Sequence, residues 1–212
     1  ARISVNPDGD SINLSAGRTE GSFQYPGNYT DKTIGFSEIA PSSLRRASKI
    51  HHIAAVQSEY SLSTRAPEMG LLQTCKELET ALVAFSPVGR TFLTDNPLSY
   101  NFAQSLDFTK VNPRFNQPNY DHNILITDKF RNYAKDIGVA SATLSISWLL
   151  SKGEHVIPIP GTRSVEHLKE LAAGIEFDMT EKIKNEIEDI LPLGWAYGDR
   201  YSEAQWIGPE RY

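Results

Sequence analysis

The residues that decide the fold are Val156-Ile-Pro-Ile-Pro-Gly161-Thr162-Arg163-Ser164, followed directly by Val165-Glu166-His167-Leu168-Lys169-Glu170. A short apolar run ends in a Pro-Gly turn, and Ser164 is suited to cap the helix that follows. Such a unit aims backbone N–H groups and the positive end of a helix dipole at one point. Arg163 adds a guanidinium fork that can bind a phosphate through two oxygens. The segment predicts a phosphate-binding turn; the alternative is a capped turn with an exposed arginine.

The same strand-and-helix rhythm runs upstream to Lys32. We predict strands at residues 33–36, 53–57, 81–85 and 155–159, and helices at 41–50, 68–78, 123–137, 141–151, 164–173 and 180–191. This alternation predicts a parallel sheet wrapped by helices. Polar residues follow every strand, which favours a (β/α) barrel over a doubly wound sheet with a single switch point.

Three segments lack this rhythm. Residues 1–31 are rich in turn signals and predict an irregular N-terminal arm with at most a short strand or hairpin. Residues 91–122 form a long polar and aromatic stretch, which we expect to be functional or disordered. Residues 194–212 predict an irregular aromatic tail. We therefore divide the chain into the arm, residues 1–31, and a partial (β/α) barrel, residues 32–212.

Composition limits the possible partners. The chain has 212 residues and a net charge of −5, which argues against nucleic acid. It contains no apolar run long enough to span a membrane. Its single Cys75 cannot form an internal disulfide, and the helical setting of this residue indicates a buried, inert thiol. No zinc-ligand spacing occurs. We therefore predict a cytoplasmic protein without a metal.

The strand ends together resemble the aldo-keto reductase superfamily, and within it the pyridoxal-reductase-like branch of bacteria and fungi. The motifs that carry the resemblance are Ile34-Gly-Phe-Ser37-Glu38, Ala55-Val-Gln57-Ser-Glu59-Tyr60-Ser61-Leu62, Val83-Ala-Phe85-Ser86-Pro87-Val88-Gly89-Arg90 and Pro158-Ile-Pro-Gly161-Thr162-Arg163. The resemblance implies a TIM-barrel fold with an NADP(H) site at the carboxyl ends of its strands. It also implies reduction of small aldehydes or ketones.

The resemblance also implies a role for each matching residue. Ser37 and Gln57 would contact the nicotinamide carboxamide, and Phe85 would stack on the nicotinamide ring. The segment Ser86, Pro87, Val88, Gly89 and Arg90 would wrap the pyrophosphate. The adenosine phosphate and the adenine would contact Gly161, Thr162, Arg163, His167 and Glu170. One departure is Leu171, which stands where the family commonly has Asn.

The catalytic Asp, Tyr, Lys and His of the family lie on its first four strands, and no match to those motifs is found. We therefore expect a truncated half barrel that comprises about the last four βα units, and the catalytic residues stay unknown. Tyr25, Tyr29 and Tyr60 are the remaining candidate proton donors, and each would need a lowered pKa. Glu38 and Glu59 end neighbouring strands, either as a facing carboxylate pair or as ordinary rim salt bridges.

Three functions therefore stay open. The chain is an incomplete NADPH-dependent oxidoreductase, a non-catalytic NADP(H)-binding or regulatory module, or a structural half barrel that needs a partner. Four parallel strands cannot close a barrel, so we predict a homo-oligomer or completion by a partner. We expect five apolar strand residues to point into the barrel interior, namely Ile34, Phe36, Val56, Val83 and Ile157.

Overall fold

The computed structural model describes residues 2–5, 12–15 and 34–210. The strands are β1 (Arg2–Val5), β2 (Ile12–Ser15), β3 (Ile34–Ser37), β4 (Ile53–Glu59), β5 (Ala81–Phe85) and β6 (Val156–Ile159). The α-helices are α1 (Pro41–Ser48), α2 (Leu71–Glu77), α3 (Tyr100–Ser105), α4 (Asn119–Asp136), α5 (Ser141–Leu150), α6 (Val165–Ala173) and α7 (Glu181–Ile190). Short 3-10 turns lie at Ala66–Met69, Gly89–Thr91, Thr109–Val111 and Pro113–Phe115.

The four strands β3, β4, β5 and β6 form one parallel sheet in chain order. At least one α-helix separates each strand from the next, and α6 and α7 follow the last strand. The predicted α/β architecture, a partial barrel of four parallel strands, is confirmed. β1 and β2 pair antiparallel, as the arm sequence allowed, and the rest of the arm lies outside the described residues.

The main core lies between the sheet and its helices. Val56, Leu82 and Ala84 are fully buried and pack with Leu44 of α1 and Trp148 of α5. We call this side of the sheet the helix face. Because neighbouring strand residues point to opposite sides, residues one position away lie on the other face. This register corrects one expectation: Ile34, Phe36 and Val56 pack into the helix-face core and do not fill a barrel interior.

Two stretches depart from the prediction by more than a shifted end. The helix predicted over residues 68–78 is split, because Gly70 adopts a φ of +138° between a 3-10 turn and α2. The stretch 91–122 is folded through α3, two short 3-10 turns and the start of α4. Phe92, Phe115 and Tyr120 form a small second core there, with the rings of Phe92 and Phe115 4.6 Å apart.

The tail, residues 194–210, contains neither helix nor strand, as predicted, but it is firmly attached. Trp195 is buried, and its indole Nε1 donates to the Leu62 carbonyl at 2.7 Å. The Asn123 side chain binds both the N–H and the carbonyl of Tyr197. These contacts hold the tail against the carboxyl ends of the strands. In the described part of the chain, no helix combines the length and apolar character needed to cross a membrane.

Candidate functional site

Three of the predicted cofactor residues lie on one face of the sheet at its carboxyl end. Ser37 pairs in register with Gln57, and both side chains are exposed. Phe85 pairs with Glu59, two residues beyond Gln57, so strand alternation puts Phe85 on the same side. We call this side the open face. Its members are Ser37, Gln57, Val83, Phe85, Ile157 and Ile159.

The loop after β5 has a constrained backbone. Ser86, Gly89, Arg90 and Thr91 all have a positive φ, between 51° and 81°. Each non-glycine residue in this region costs about 1–3 kcal/mol, and such residues cluster at functional sites. At Gly89, a Cβ atom would lie 2.8 Å from Ser63 Oγ, so the close approach requires glycine. Pro87 is buried, and the loop is therefore held in one shape.

The turn after β6 has the predicted capped geometry. Ser164 Oγ accepts a hydrogen bond from the His167 N–H at 3.3 Å, and Thr162 Oγ1 accepts one from the Ser164 N–H at 3.1 Å. Gly161, Thr162, Arg163 and His167 are exposed, and Glu170 is half-buried. Arg163 forms no ion pair with any residue that the structure describes. The turn therefore presents its polar groups and one uncommitted guanidinium to solvent.

The two loops line a common cleft of about 110 Å³. From the β6 side, its lining residues include Gly161, Thr162, His167 and Glu170, and Val88 comes from the β5 loop. Residues 91–96 contribute part of the wall and are fixed by Asp95, whose Oδ1 accepts hydrogen bonds from the N–H and hydroxyl of Ser141. The structure thus brings both predicted phosphate segments together, while Ser37, Gln57 and Phe85 lie on the open face.

Arg90 makes an ion pair within the protein. Its Nη2 lies 2.6 Å from Glu59 Oε2, and Glu59 is only 1% exposed. The Arg90 guanidinium also stacks over the Phe108 ring at 4.3 Å. A cation between a buried carboxylate and an aromatic face is held in place, and moving it to a phosphate would leave Glu59 short of a partner.

Glu59 belongs to a largely buried charged group, which we call the rim cluster: Glu38, Glu59, Arg90 and Arg200. The sequence predicted the two glutamates as neighbours but not their arginine partners. Arg200 Nη2 donates to Glu38 Oε2, and Arg200 Nη1 lies 3.7 Å from Glu59 Oε2. Burial would lower the pKa of Arg200, but the hydrogen bond and the charges of Glu38 and Glu59 outweigh it and raise the pKa. Each carboxylate therefore shares this guanidinium, as in a rim salt bridge.

Arg114 adjoins the rim cluster. Its Nη1 donates to Thr64 Oγ1 at 2.7 Å, and that hydroxyl donates to Glu59 Oε1 at 2.9 Å. Burial lowers the pKa of the Arg114 guanidinium, and the charge of Glu59 offsets this only in part. Arg114 and Arg200 also line a cavity of about 460 Å³ between the tail and the loop after β4. Both arginines lie in irregular segments, where no periodic pattern marks a residue as buried.

Of the three candidate proton donors, only Tyr60 lies among the described residues. Tyr60 is fully buried, and its hydroxyl donates to Glu68 Oε1 at 2.8 Å. Burial and the Glu68 charge raise the pKa of Tyr60, which makes it a weaker acid. Tyr25 and Tyr29 lie outside the described residues. Burial raises the pKa of the Cys75 thiol to about 12. Within the described ranges, no three His, Cys, Asp or Glu side chains converge on a metal site.

Four parallel strands in chain order, with a helix-packed core on one side of the sheet and exposed side chains on the other, are typical of a (β/α) barrel. A doubly wound sheet has helices on both faces. The Aldo/keto reductase family matches residues 32–192. The chain belongs to this family, as the strand-end motifs predicted.

Two curated relatives agree. The chain is 37% identical to "Probable aldo-keto reductase 1" of Glycine max over 170 residues, which cover 80% of this chain and 49% of that protein. It is 32% identical to "Aldo-keto reductase yakc [NADP(+)]" of Schizosaccharomyces pombe over 171 residues, 79% of this chain and 50% of the relative. The chain thus spans about half the length of the curated relatives it matches.

Solved structures show the same fold. The glycerol dehydrogenase of Gluconobacter oxydans superimposes with a TM-score of 0.63 at 22% identity, over 75% of this chain and 48% of that one. An aldo-keto reductase from Klebsiella pneumoniae, solved in complex with NADPH, gives 0.55 at 20% identity, over 76% and 48%. At these identities the likeness concerns the fold, and the partial coverage agrees with a partial barrel.

Proposed function

We propose that this chain supplies the NADP(H)-binding part of an aldo-keto reductase. The observation that carries the proposal is the cleft shared by the loops after β5 and β6. Arg163 beside it is exposed and unpaired among the described residues, as a ligand for an added phosphate must be. A Cβ built on Gly161 has no atom within 4 Å, so the turn leaves space for a bound group.

In this proposal, each group of predicted residues binds a different part of the cofactor. Gly161, Thr162 and Arg163 bind the 2′-phosphate, and His167 and Glu170 lie beside the adenine. The β5 loop, Ser86 to Arg90, follows the pyrophosphate. Ser37 and Gln57 bind the carboxamide, because hydroxyl and amide side chains both donate and accept hydrogen bonds. Phe85 offers an aromatic face to the nicotinamide ring.

In the complete reductase, NADPH supplies a hydride to the carbonyl carbon of an aldehyde or ketone. The carbonyl oxygen takes up a proton, and an alcohol is released. The residues of this chain bind and orient the cofactor, and the family's Asp, Tyr, Lys and His supply the proton transfer. Because no match to those four motifs was found, we expect the chain alone to bind NADP(H) without ordinary turnover. If the chain acts only as a binding or regulatory module, the same residues bind NADP(H) and no reduction follows.

The test is a titration of the full chain with NADPH and with NADH. We expect NADPH to bind about tenfold to a hundredfold more tightly, because Arg163 makes a charge-assisted contact with the 2′-phosphate. Arg163→Ala should remove this preference and leave NADH binding unchanged. Arg45→Ala is the matched control, since Arg45 is also exposed but lies on α1 and pairs with Glu77. Equal affinity of the parent chain for both cofactors would contradict the proposal.

A second proposal concerns association. Ile157 and Ile159 are 48% and 42% exposed on the open face, beside the partly exposed Val83 and Phe85. Large apolar side chains grouped on one surface favour a partner. A two-fold axis along the strands would place β6 of one copy beside β3 of the other with all strands parallel. We therefore propose a homodimer, with completion by another βα segment as the alternative outcome.

A further inference from the structure

We infer that Arg200, contributed by the tail, is a positioning residue for the cofactor site. The inference rests on the proposed NADP(H) binding. It adds Arg200, which lies about 160 positions along the chain from Glu38, the residue that it contacts after β3. Arg200 reaches no cleft-lining residue of the β6 loop. It acts through Glu38 and Glu59, which end the strands that carry Ser37 and Gln57.

The tail binds the end of β3 at three points. Arg200 donates to the Glu38 carboxylate, and the Glu210 N–H donates to the Glu38 carbonyl at 2.9 Å. The Glu210 carboxylate in turn accepts from the Ala40 N–H at 2.6 Å. Glu38 itself has a φ of +53°, an unfavourable conformation for a residue with a side chain. The tail therefore holds a strained residue that directly follows Ser37.

Further hydrogen bonds connect Glu38 to the end of β4 and, through Glu59, to the loop after β5. Glu38 Oε1 accepts from the Glu59 N–H at 2.9 Å, and the Glu38 N–H donates to the Gln57 carbonyl at 2.8 Å. Glu59 then binds Arg90 of the β5 loop. One continuous set of hydrogen bonds thus connects β3, β4 and the β5 loop, and Arg200 is the cation shared by its two buried carboxylates.

Arg200 is itself fixed, as a positioning residue must be. Its guanidinium lies 4.7 Å from the Tyr201 ring centroid and 4.6 Å from that of Trp206. Its carbonyl accepts from Asn112 Nδ2 at 2.6 Å, which anchors the backbone to the second small core region. Only 6% of the residue is exposed. Burial, the two ring contacts and the anchored backbone therefore restrict the side chain.

Removing this cation should displace the nicotinamide side of the site and spare the adenosine side. Ser37 and Gln57 are exposed, so their positions depend on the strand ends that carry them. The β6 turn has its own internal hydrogen bonds, from Thr162 and Ser164, and does not involve Arg200. We therefore expect binding of the nicotinamide half to depend on Arg200 and binding of the adenosine half not to depend on it.

The experiment compares Arg200→Met with Arg65→Met in the full chain. Arg65 is the matched control, since its side chain is only 10% exposed, pairs with two glutamates, Glu68 and Glu188, and stacks on Trp148. Each protein is titrated with NADPH and with adenosine 2′,5′-bisphosphate, which lacks the nicotinamide half. We expect Arg200→Met to weaken NADPH binding about tenfold or more and to leave the bisphosphate affinity within about twofold. Arg200→Lys should restore part of the loss.

Hydrogen exchange of residues 34–40 and 57–60, measured without cofactor, supplies an independent readout. Arg200→Met should speed exchange there, and Arg65→Met should not. Unchanged exchange together with an unchanged NADPH-to-bisphosphate ratio would overturn the inference, and so would equal loss of both ligands. If the parent chain bound neither ligand, the proposed function would fail, and the exchange result would still decide whether Arg200 holds the strand ends. If Arg200→Met does not fold, Arg200→Lys and Glu38→Gln are compared with Arg65→Met in the same titrations and exchange measurements.

Discussion

The two faces of the four-stranded sheet differ although the same strands build both. On the helix face, Leu82 and Val56 are fully buried beneath α1, α2 and α5. On the open face, Gln57 and Ile157 are exposed, and Val83 is only partly covered. One face therefore carries the packed core, and the other exposes the groups that we propose for a ligand or a partner.

The rim where these faces meet combines both properties. Glu59 lies on the strand that carries Gln57, yet it is buried and tied to Arg90 and Arg200. Buried charges are costly unless they are paired, so this cluster is a rigid feature of an otherwise open edge. The exposed residues that we propose to bind the cofactor thus lie next to buried, charge-paired residues at the same strand ends.

The largest expected effect compares two neighbouring residues of β5, Leu82 on the helix face and Val83 on the open face. Leu82→Ala should lower the free energy of unfolding by about 2–5 kcal/mol, because it leaves a cavity in the closed core. Val83→Ala should cost about 1 kcal/mol or less at the lowest workable protein concentration, since the open face can adjust. Urea denaturation measures both. Similar losses for the two variants would show that the open face is packed as tightly as the helix face.

The next effect concerns the open face as an interface. Ile157→Lys should weaken self-association about a hundredfold, because a lysine cannot be buried unpaired between apolar surfaces. Light scattering over a range of concentrations gives the association constant. Leu125→Lys serves as the control, since Leu125 is 63% exposed on α4. A monomeric parent chain with no apolar surface accessible to dye would mean that the arm covers this face.

The smallest expected effect concerns the carboxylate of Glu68, which pairs with Arg65 and Lys152. Burial would raise the pKa of Glu68, but hydrogen bonds from Arg65 and Tyr60 and the charge of Lys152 outweigh it and lower the pKa. A depressed carboxylate pKa stabilises the fold above the unfolded value of about 4.3, and this contribution is lost as the pH falls from that value through the lower pKa of the folded state. Denaturation midpoints between about pH 6 and pH 3 should therefore fall less steeply for Glu68→Gln. Parallel curves for the variant and the parent would contradict this assignment.

Much of the fold followed from local patterns. β5 has its predicted bounds, and β3, β4 and β6 differ from theirs by one or two residues, because short runs rich in apolar residues and bounded by turn residues favour strands. The face assignment of Ile34 and Phe36 was wrong, because periodicity gives which residues share a side and not which side the helices cover. The packing of Phe92 with Phe115 was also missed, because contacts between irregular segments leave no periodic signal.

The sequence alone predicts the α/β alternation and the family, since strand-end motifs are local and each turn folds from its own residues. Four of the predicted cofactor residues, Gly161, Thr162, His167 and Glu170, line the cleft, whereas the part of its wall from residues 91–96 and Ala142 was not predicted. Only the tertiary structure decided that Arg90 pairs with Glu59 and that Arg200 joins the ends of β3 and β4. Those contacts join residues as many as 162 positions apart. Their energy arises from burial and charge pairing, which exist only after the tail has packed against the rim of the sheet.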